Sequence, residues 1–78
     1  MEHKYIKSNE LKAARVKKGF TQSDIAKLMN KRTQTYNLLE NGKKIPSLKE
    51  INTIAEIFDE NPCKFFNIKN INVSQKEL

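Results

Sequence analysis

Between Lys31 and Leu38 the chain gathers two cations, hydroxyls and two carboxamides in a stretch that reads as one short helix. Gln34 and Asn37 can each bond the N6 and N7 of adenine with two atoms, and Arg32 can fork onto the O6 and N7 of guanine. Thr33 and Leu38 can meet a thymine methyl. This is recognition by hydrogen bonding rather than bond making. Catalysis would require a nucleophile beside a base, or paired carboxylates in a cleft. Neither is visible: Asp24 reads as a helix cap, Asp59-Glu60 fall in a turn, and no glycine-rich phosphate loop exists. His3 has no partner at metal-ligand spacing, and the single cysteine, Cys63, excludes an internal disulfide and a multi-cysteine zinc site. Cys63 is expected to be a half-buried packing residue. No enzymatic activity, metal or cofactor is expected.

Those side chains need a scaffold, and helix punctuation along the chain supplies one. Met1–Lys7 reads as a loose arm. Ser8 or Asn9 can cap a first helix that runs to about Lys18, with Glu10 in its first turn and basic residues in its last. Gly19 then stops it as a left-handed cap. Thr21 with Asp24 forms a carboxylate variant of the capping box for helix two, whose buried stripe is expected to be Ile25, Ala26, Leu28 and Met29. Asn30, tolerant of positive φ, follows. Helix three runs from about Thr33 to Glu40 and stops at Asn41-Gly42. Ser47-Leu48-Lys49-Glu50 is a full capping box for helix four, which spaces Leu48, Ile51, Ile54, Ala55 and Phe58 helically. Asn61-Pro62 reads as the start of a fifth helix carrying Phe65 and Phe66. The expectation is all-α.

Composition agrees with a single small domain. The chain has 78 residues, 37% hydrophobic and 31% charged, with two glycines and two prolines. No apolar run is long enough to span a membrane and no signal-peptide core is present, so a reducing cytosol is the expected setting. The net charge of +6 is unevenly placed: residues 1–44 carry eleven Lys/Arg against four Asp/Glu, and residues 45–78 carry four against five. The basic half coincides with the polar helix, which points to a polyanionic partner.

Successive helical residues are offset by about 100°. Tyr36 and Leu39 therefore fall on one side of helix three, and Thr33, Gln34, Asn37 and Leu38 on the other, with Lys31 and Arg32 at its N-terminal end. If the two apolar residues point inward, the polar set points out. Tyr36 is expected to pack.

From Leu11 to Phe66 the chain resembles the helix-turn-helix family of phage Cro and C1 repressors, the XRE family. The matching residues are Leu11, Arg15 and Gly19, then Thr21-Gln22 with Ile25-Ala26, then Leu39-Glu40-Asn41-Gly42, Pro46-Ser47-Leu48 and Ala55. The resemblance implies a compact five-helix bundle of the lambda-repressor-like type, with helices two and three as the helix-turn-helix. It implies that Gln22 binds phosphate and buttresses the first reading side chain. Asn41, Lys43 and Lys44 would grip the backbone, and Thr33, Gln34 and Leu38 would touch bases. Arg15 and Glu40 resemble a family ion pair between helix one and the end of helix three. Three residues depart from the pattern. Arg32 stands where a small capping hydroxyl is usual, so the cap is expected to pass to Thr33. Leu38 replaces a polar reader, and Glu60 replaces a buried aliphatic at the corner after helix four.

The resulting expectation is an arm over 1–7, a DNA-binding domain over 8–66 and a tail over 67–78. Base reading is assigned to Arg32, Thr33, Gln34, Asn37 and Leu38, and phosphate contact to Gln22, Lys31, Asn41, Lys43 and Lys44. Phe65, Ile68, Ile71 and Val73 are more apolar side chains than a disordered end normally carries, and are expected to form a homodimer interface. The expected function is a repressor of double-stranded DNA sites with near-palindromic symmetry. The alternative is a protein-interaction module such as the antitoxin of a toxin–antitoxin pair, with a cognate toxin as partner.

Overall fold

The computed structural model describes residues 5–67. Four α-helices follow one another: α1 Ser8–Lys17, α2 Gln22–Leu28, α3 Thr33–Glu40 and α4 Leu48–Phe58. One 3-10 turn, Pro62–Lys64, completes the described chain. Among the described residues no helix is long and apolar enough to cross a membrane.

Local chemistry sets the ends. Thr21 Oγ1 accepts from the Asp24 N–H at 3.0 Å while Asp24 Oδ2 accepts from the Thr21 N–H at 2.8 Å. Ser47 and Glu50 make the same reciprocal pair at the start of α4. Each helix ends at a residue with left-handed backbone: Gly19, Asn30, Gly42 and Asp59 have φ of 77°, 61°, 75° and 53°. The following N–H then reaches back to close the last turn, as Phe20 does to Arg15, Lys31 to Ala26, Lys43 to Leu38 and Glu60 to Ala55. Such tight exits let four short helices fold back on one another with few loop residues.

The start of α1 differs from expectation. Lys7 occupies the N-cap position without a side-chain cap bond, and Ser8 lies inside the helix. The Ser8 hydroxyl donates instead to the Glu40 carbonyl at 2.6 Å, satisfying a C-terminal acceptor of α3.

The fifth helix is not formed. Asn61 Oδ1 accepts from the Cys63 N–H at 2.9 Å and Pro62 opens the turn, as the sequence indicates, but one 3-10 turn is all that follows. The reason is non-local. The Phe65 carbonyl accepts from the Lys7 N–H at 2.7 Å, and the Asn67 N–H donates to the Tyr5 carbonyl at 3.1 Å. These backbone groups form an isolated antiparallel bridge between Ile6 and Phe66 rather than a helical ladder. Residues 5–7 are therefore part of the folded unit and not a loose arm. Ile6 is 1% exposed.

The core joins Ile6, Leu11, Ile25, Ala26, Met29, Tyr36, Leu39, Ile51, Ile54, Phe58, Phe65 and Phe66. Phe58 and Phe65 meet edge to face, with ring centroids 5.4 Å apart. Leu28, expected inside, is exposed, and so is Leu48. Leu28 is the last residue of α2 and Leu48 the first of α4. Glu60 is exposed beside Lys64, so the corner after α4 is open where an aliphatic side chain would have filled it.

Candidate nucleic-acid interface

α3 is held by its inner side and shows its outer side. Tyr36 and Leu39 are buried, while Arg32, Thr33, Gln34 and Leu38 are exposed. Arg32, not Thr33, takes the N-cap position, and Thr33 is the first helical residue. The Arg32 side chain makes no cap bond, and no acidic residue stands in the first turn. The first intrahelical bond is the Tyr36 N–H to the Arg32 carbonyl, so the N–H groups of Thr33, Gln34 and Thr35 have no partner within the helix. The positive end of the helix dipole is thus presented between Lys31 and Arg32, a setting that favours an anion.

A buried polar network fixes the angle of α3 against α1 and α2. Arg15 Nε and Nη2 donate to the two Glu40 carboxylate oxygens at 2.8 and 3.2 Å. Arg15 Nη1 closes the end of α1 by donating to the Phe20 carbonyl at 2.9 Å. Gln22 Nε2 donates to Glu40 Oε2 at 3.2 Å, and Asn37 Nδ2 donates to Gln22 Oε1 at 3.0 Å. Burial works to raise the Glu40 pKa, but the bonds from Arg15 and Gln22, with the Tyr36 hydroxyl close by, outweigh it and hold the carboxyl below its ordinary value. The bond to Glu40 raises Arg15. Burial, and then the neighbouring Glu40 charge, push the Tyr36 hydroxyl far up. That hydroxyl lies close enough to Glu40 to feel the carboxylate, yet it is buried without a partner at full hydrogen-bond geometry.

A second carboxylate, Glu50, organises the cations around α3. Lys44 Nζ donates to Glu50 Oε1 and Oε2 at 2.8 and 3.1 Å, and Lys31 Nζ lies 3.3 Å from Oε2. Burial works to raise the Glu50 pKa, but Lys44 and the Ser47 backbone N–H more than offset it. Lys43 is exposed and has no ion-pair partner among the described residues. Asn41 is half-buried at the end of α3, just before the left-handed Gly42.

Several site residues stand differently from expectation. Asn37, placed among the base readers, is half-buried, and its tie to Gln22 makes it a buttress between α2 and α3. Gln22, expected at phosphate, has both amide atoms engaged inside the protein. Phe65, expected at a dimer interface, is fully buried in the core of its own chain and offers no surface. Ile68, Ile71 and Val73 lie outside the described residues. Cys63 is exposed rather than half-buried. Two features escaped the sequence entirely: the Ser8 bond to the end of α3, and the convergence of Lys31 and Lys44 on Glu50. The capping box made Glu50 visible, but nothing local indicates that Lys31, nineteen residues earlier, joins the nearby Lys44 on it.

Residues 11–65 match the family model described as helix-turn-helix. Among solved structures, the chain is similar to LexA from Eubacterium rectale, an SOS-response transcriptional repressor. The two are 29% identical with a TM-score of 0.70, over 85% of this chain and 70% of that one. Among curated proteins none matches.

Proposed function

The chain belongs to the XRE, or Cro/C1-type, helix-turn-helix family of DNA-binding transcription regulators, and from that premise we propose that it is a sequence-specific repressor acting as a homodimer on a near-palindromic operator. The observation that carries this reading is the outer face of α3, which leaves Arg32, Thr33, Gln34 and Leu38 free while Tyr36 and Leu39 anchor the helix. An α-helix of this kind fits the major groove of B-DNA. Arg32 and Gln34 supply forked hydrogen bonds to base edges, and Thr33 and Leu38 supply apolar contact with thymine methyls. Lys31, Lys43 and Lys44, together with the N–H groups opening α3, position the domain on phosphates. Asn41 and the remaining amide hydrogen of Gln22 complete the backbone contacts, and Asn37 aligns the reading face as it contributes to it.

One domain of this size makes too few base contacts for genomic specificity, so two copies would bind half-sites about one helical turn, roughly 34 Å, apart. Occupying a promoter is sufficient for repression by steric exclusion. Selection of bound duplexes from a random pool tests the reading, since it returns the site, its symmetry and the half-site spacing together. Affinity for the selected duplex should fall with added salt with a log–log slope near −0.9 per phosphate neutralised. A pool that yields no enriched sequence, or binding that ignores salt, would contradict the proposal.

A further inference from the structure

Glu50 does more than cap α4. Its Oε1 accepts from the Ser47 N–H at 2.9 Å and from Lys44 at 2.8 Å, and its Oε2 faces Lys44 at 3.1 Å and Lys31 at 3.3 Å. A carboxylate offers about four lone-pair sites, so all of its capacity is taken by the protein. Its side chain is 5% exposed, against 43% for Lys31 and 34% for Lys44. The acid lies inside, and the two ammonium groups reach it from the surface. One lysine stands just ahead of α3 and the other in the loop just after it. The acid itself cannot swing away, because the reciprocal bonds with Ser47 lock it to the first turn of α4.

We propose that Glu50 is a positioning residue for DNA binding: from inside the protein it draws Lys31 and Lys44, which flank α3 in the chain, onto one carboxylate, so that their outward N–H groups meet one stretch of sugar–phosphate backbone beside that helix. The proposal rests on α3 being the groove-entering helix. Two effects of the acid oppose each other. It places one negative charge beside the lysines, which lowers the local attraction to phosphate and weakens binding to any sequence. It also removes the rotamer freedom that a long, unrestrained lysine loses on meeting its phosphate, and so fixes register. The second effect counts only where the helix is seated in its proper groove. The acid therefore lowers general affinity and raises the advantage of the correct site.

The sign of the Glu50→Gln effect decides between these. Binding is titrated on the duplex selected from the random pool and on a scrambled duplex of equal length, after circular dichroism has verified folding. Glu50→Gln should bind the scrambled duplex as tightly as the parent or more tightly, while affinity for the selected duplex falls about fivefold or more. Tighter binding to both duplexes alike would reduce Glu50 to a charge neutraliser and overturn the proposal. Lys44→Gln gives a second readout that leaves Glu50 in place, for the case where Glu50→Gln does not fold. It should cost more affinity for the selected duplex than Lys43→Gln, whose lysine is unrestrained, and an equal or smaller loss also overturns the proposal. Lys43→Gln separates the two levels of inference. If it binds both duplexes like the parent, the phosphate-contact reading fails and takes the Glu50 role with it. If it loses affinity while Glu50→Gln tightens on both, the Glu50 role fails alone.

Discussion

Replacing Arg15 by Met should destabilise the domain far more than the loss of a surface ion pair would. The Glu40 side chain is 1% exposed and that of Arg15 is 11% exposed, so the pair is desolvated, and two of the three bonds to the Glu40 oxygens come from Arg15. Removing one partner of a buried pair typically costs about 3–5 kcal/mol. Gln22 keeps its bond to Glu40 in the variant, which places the expected cost at the lower end, about 3 kcal/mol. Domains of this size have roughly 4–12 kcal/mol in total, and a loss of about 3 kcal/mol lowers Tm by about 12–24 °C. Urea unfolding followed by circular dichroism measures the difference directly.

The pH dependence adds a second, independent signature. In the parent, Glu40 is held below its ordinary pKa, so the folded chain binds fewer protons there than the unfolded chain. That contribution is present at neutral pH and is lost as pH falls through the folded-state value. In Arg15→Met the dominant remaining influence on Glu40 is burial, which raises its pKa, so acidification neutralises the stranded carboxylate and favours the folded state. The gap between parent and variant should therefore narrow on going from neutral to mildly acid pH. Arg15→Met/Glu40→Met should be more stable than Arg15→Met alone. A cost below about 1 kcal/mol, the range of exposed pairs, or a gap that widens in acid would refute this account.

Ile6→Ala should cost about 2–4 kcal/mol in the same urea assay, because Ile6 is wholly buried in the bridge with Phe66; a loose arm would show no change. Tyr36→Phe should leave stability unchanged or raise it by up to about 1 kcal/mol, since the hydroxyl it removes is buried without a full hydrogen bond. A loss beyond that in thermal melts would show that the hydroxyl is bonded to Glu40. In quantitative binding to single-base variants of the selected duplex, Gln34→Ala should cost about 1–3 kcal/mol and relax one position. Lys43→Ala should weaken every sequence alike; equal losses on cognate and scrambled DNA for both variants would show that reader and gripper are wrongly assigned.

What could be read without coordinates was local. Thr21 with Asp24 and Ser47 with Glu50 announce two helix starts, and Gly19, Asn30 and Gly42 announce three stops, because capping and positive φ involve neighbours within a few residues. The inward placement of Tyr36 and Leu39 follows from helical spacing alone. What could not be read was built by contacts between distant segments. Asn61-Pro62 does open a turn, but whether it grows into a helix depends on Tyr5 and Lys7 competing for the same backbone groups, some sixty residues away. Asn37 has the chemistry of a reader and the spacing of an outward residue. Its commitment to Gln22 becomes visible only once α2 and α3 are packed. Lys31 and Lys44 likewise look like independent cations until the fold brings them to one acid.

The side chains that hold α3 and those that face outward are almost disjoint sets. Tyr36, Leu39 and Glu40 carry the attachment, whereas Thr33, Gln34 and Leu38 are exposed. On the proposed reading, preference for a target can therefore drift by substitution at Arg32, Thr33, Gln34 and Leu38 while thermal stability stays level. On the same reading Asn37, tied to Gln22 and beside the outward set, belongs to both groups, so exchanging it would disturb attachment and preference together.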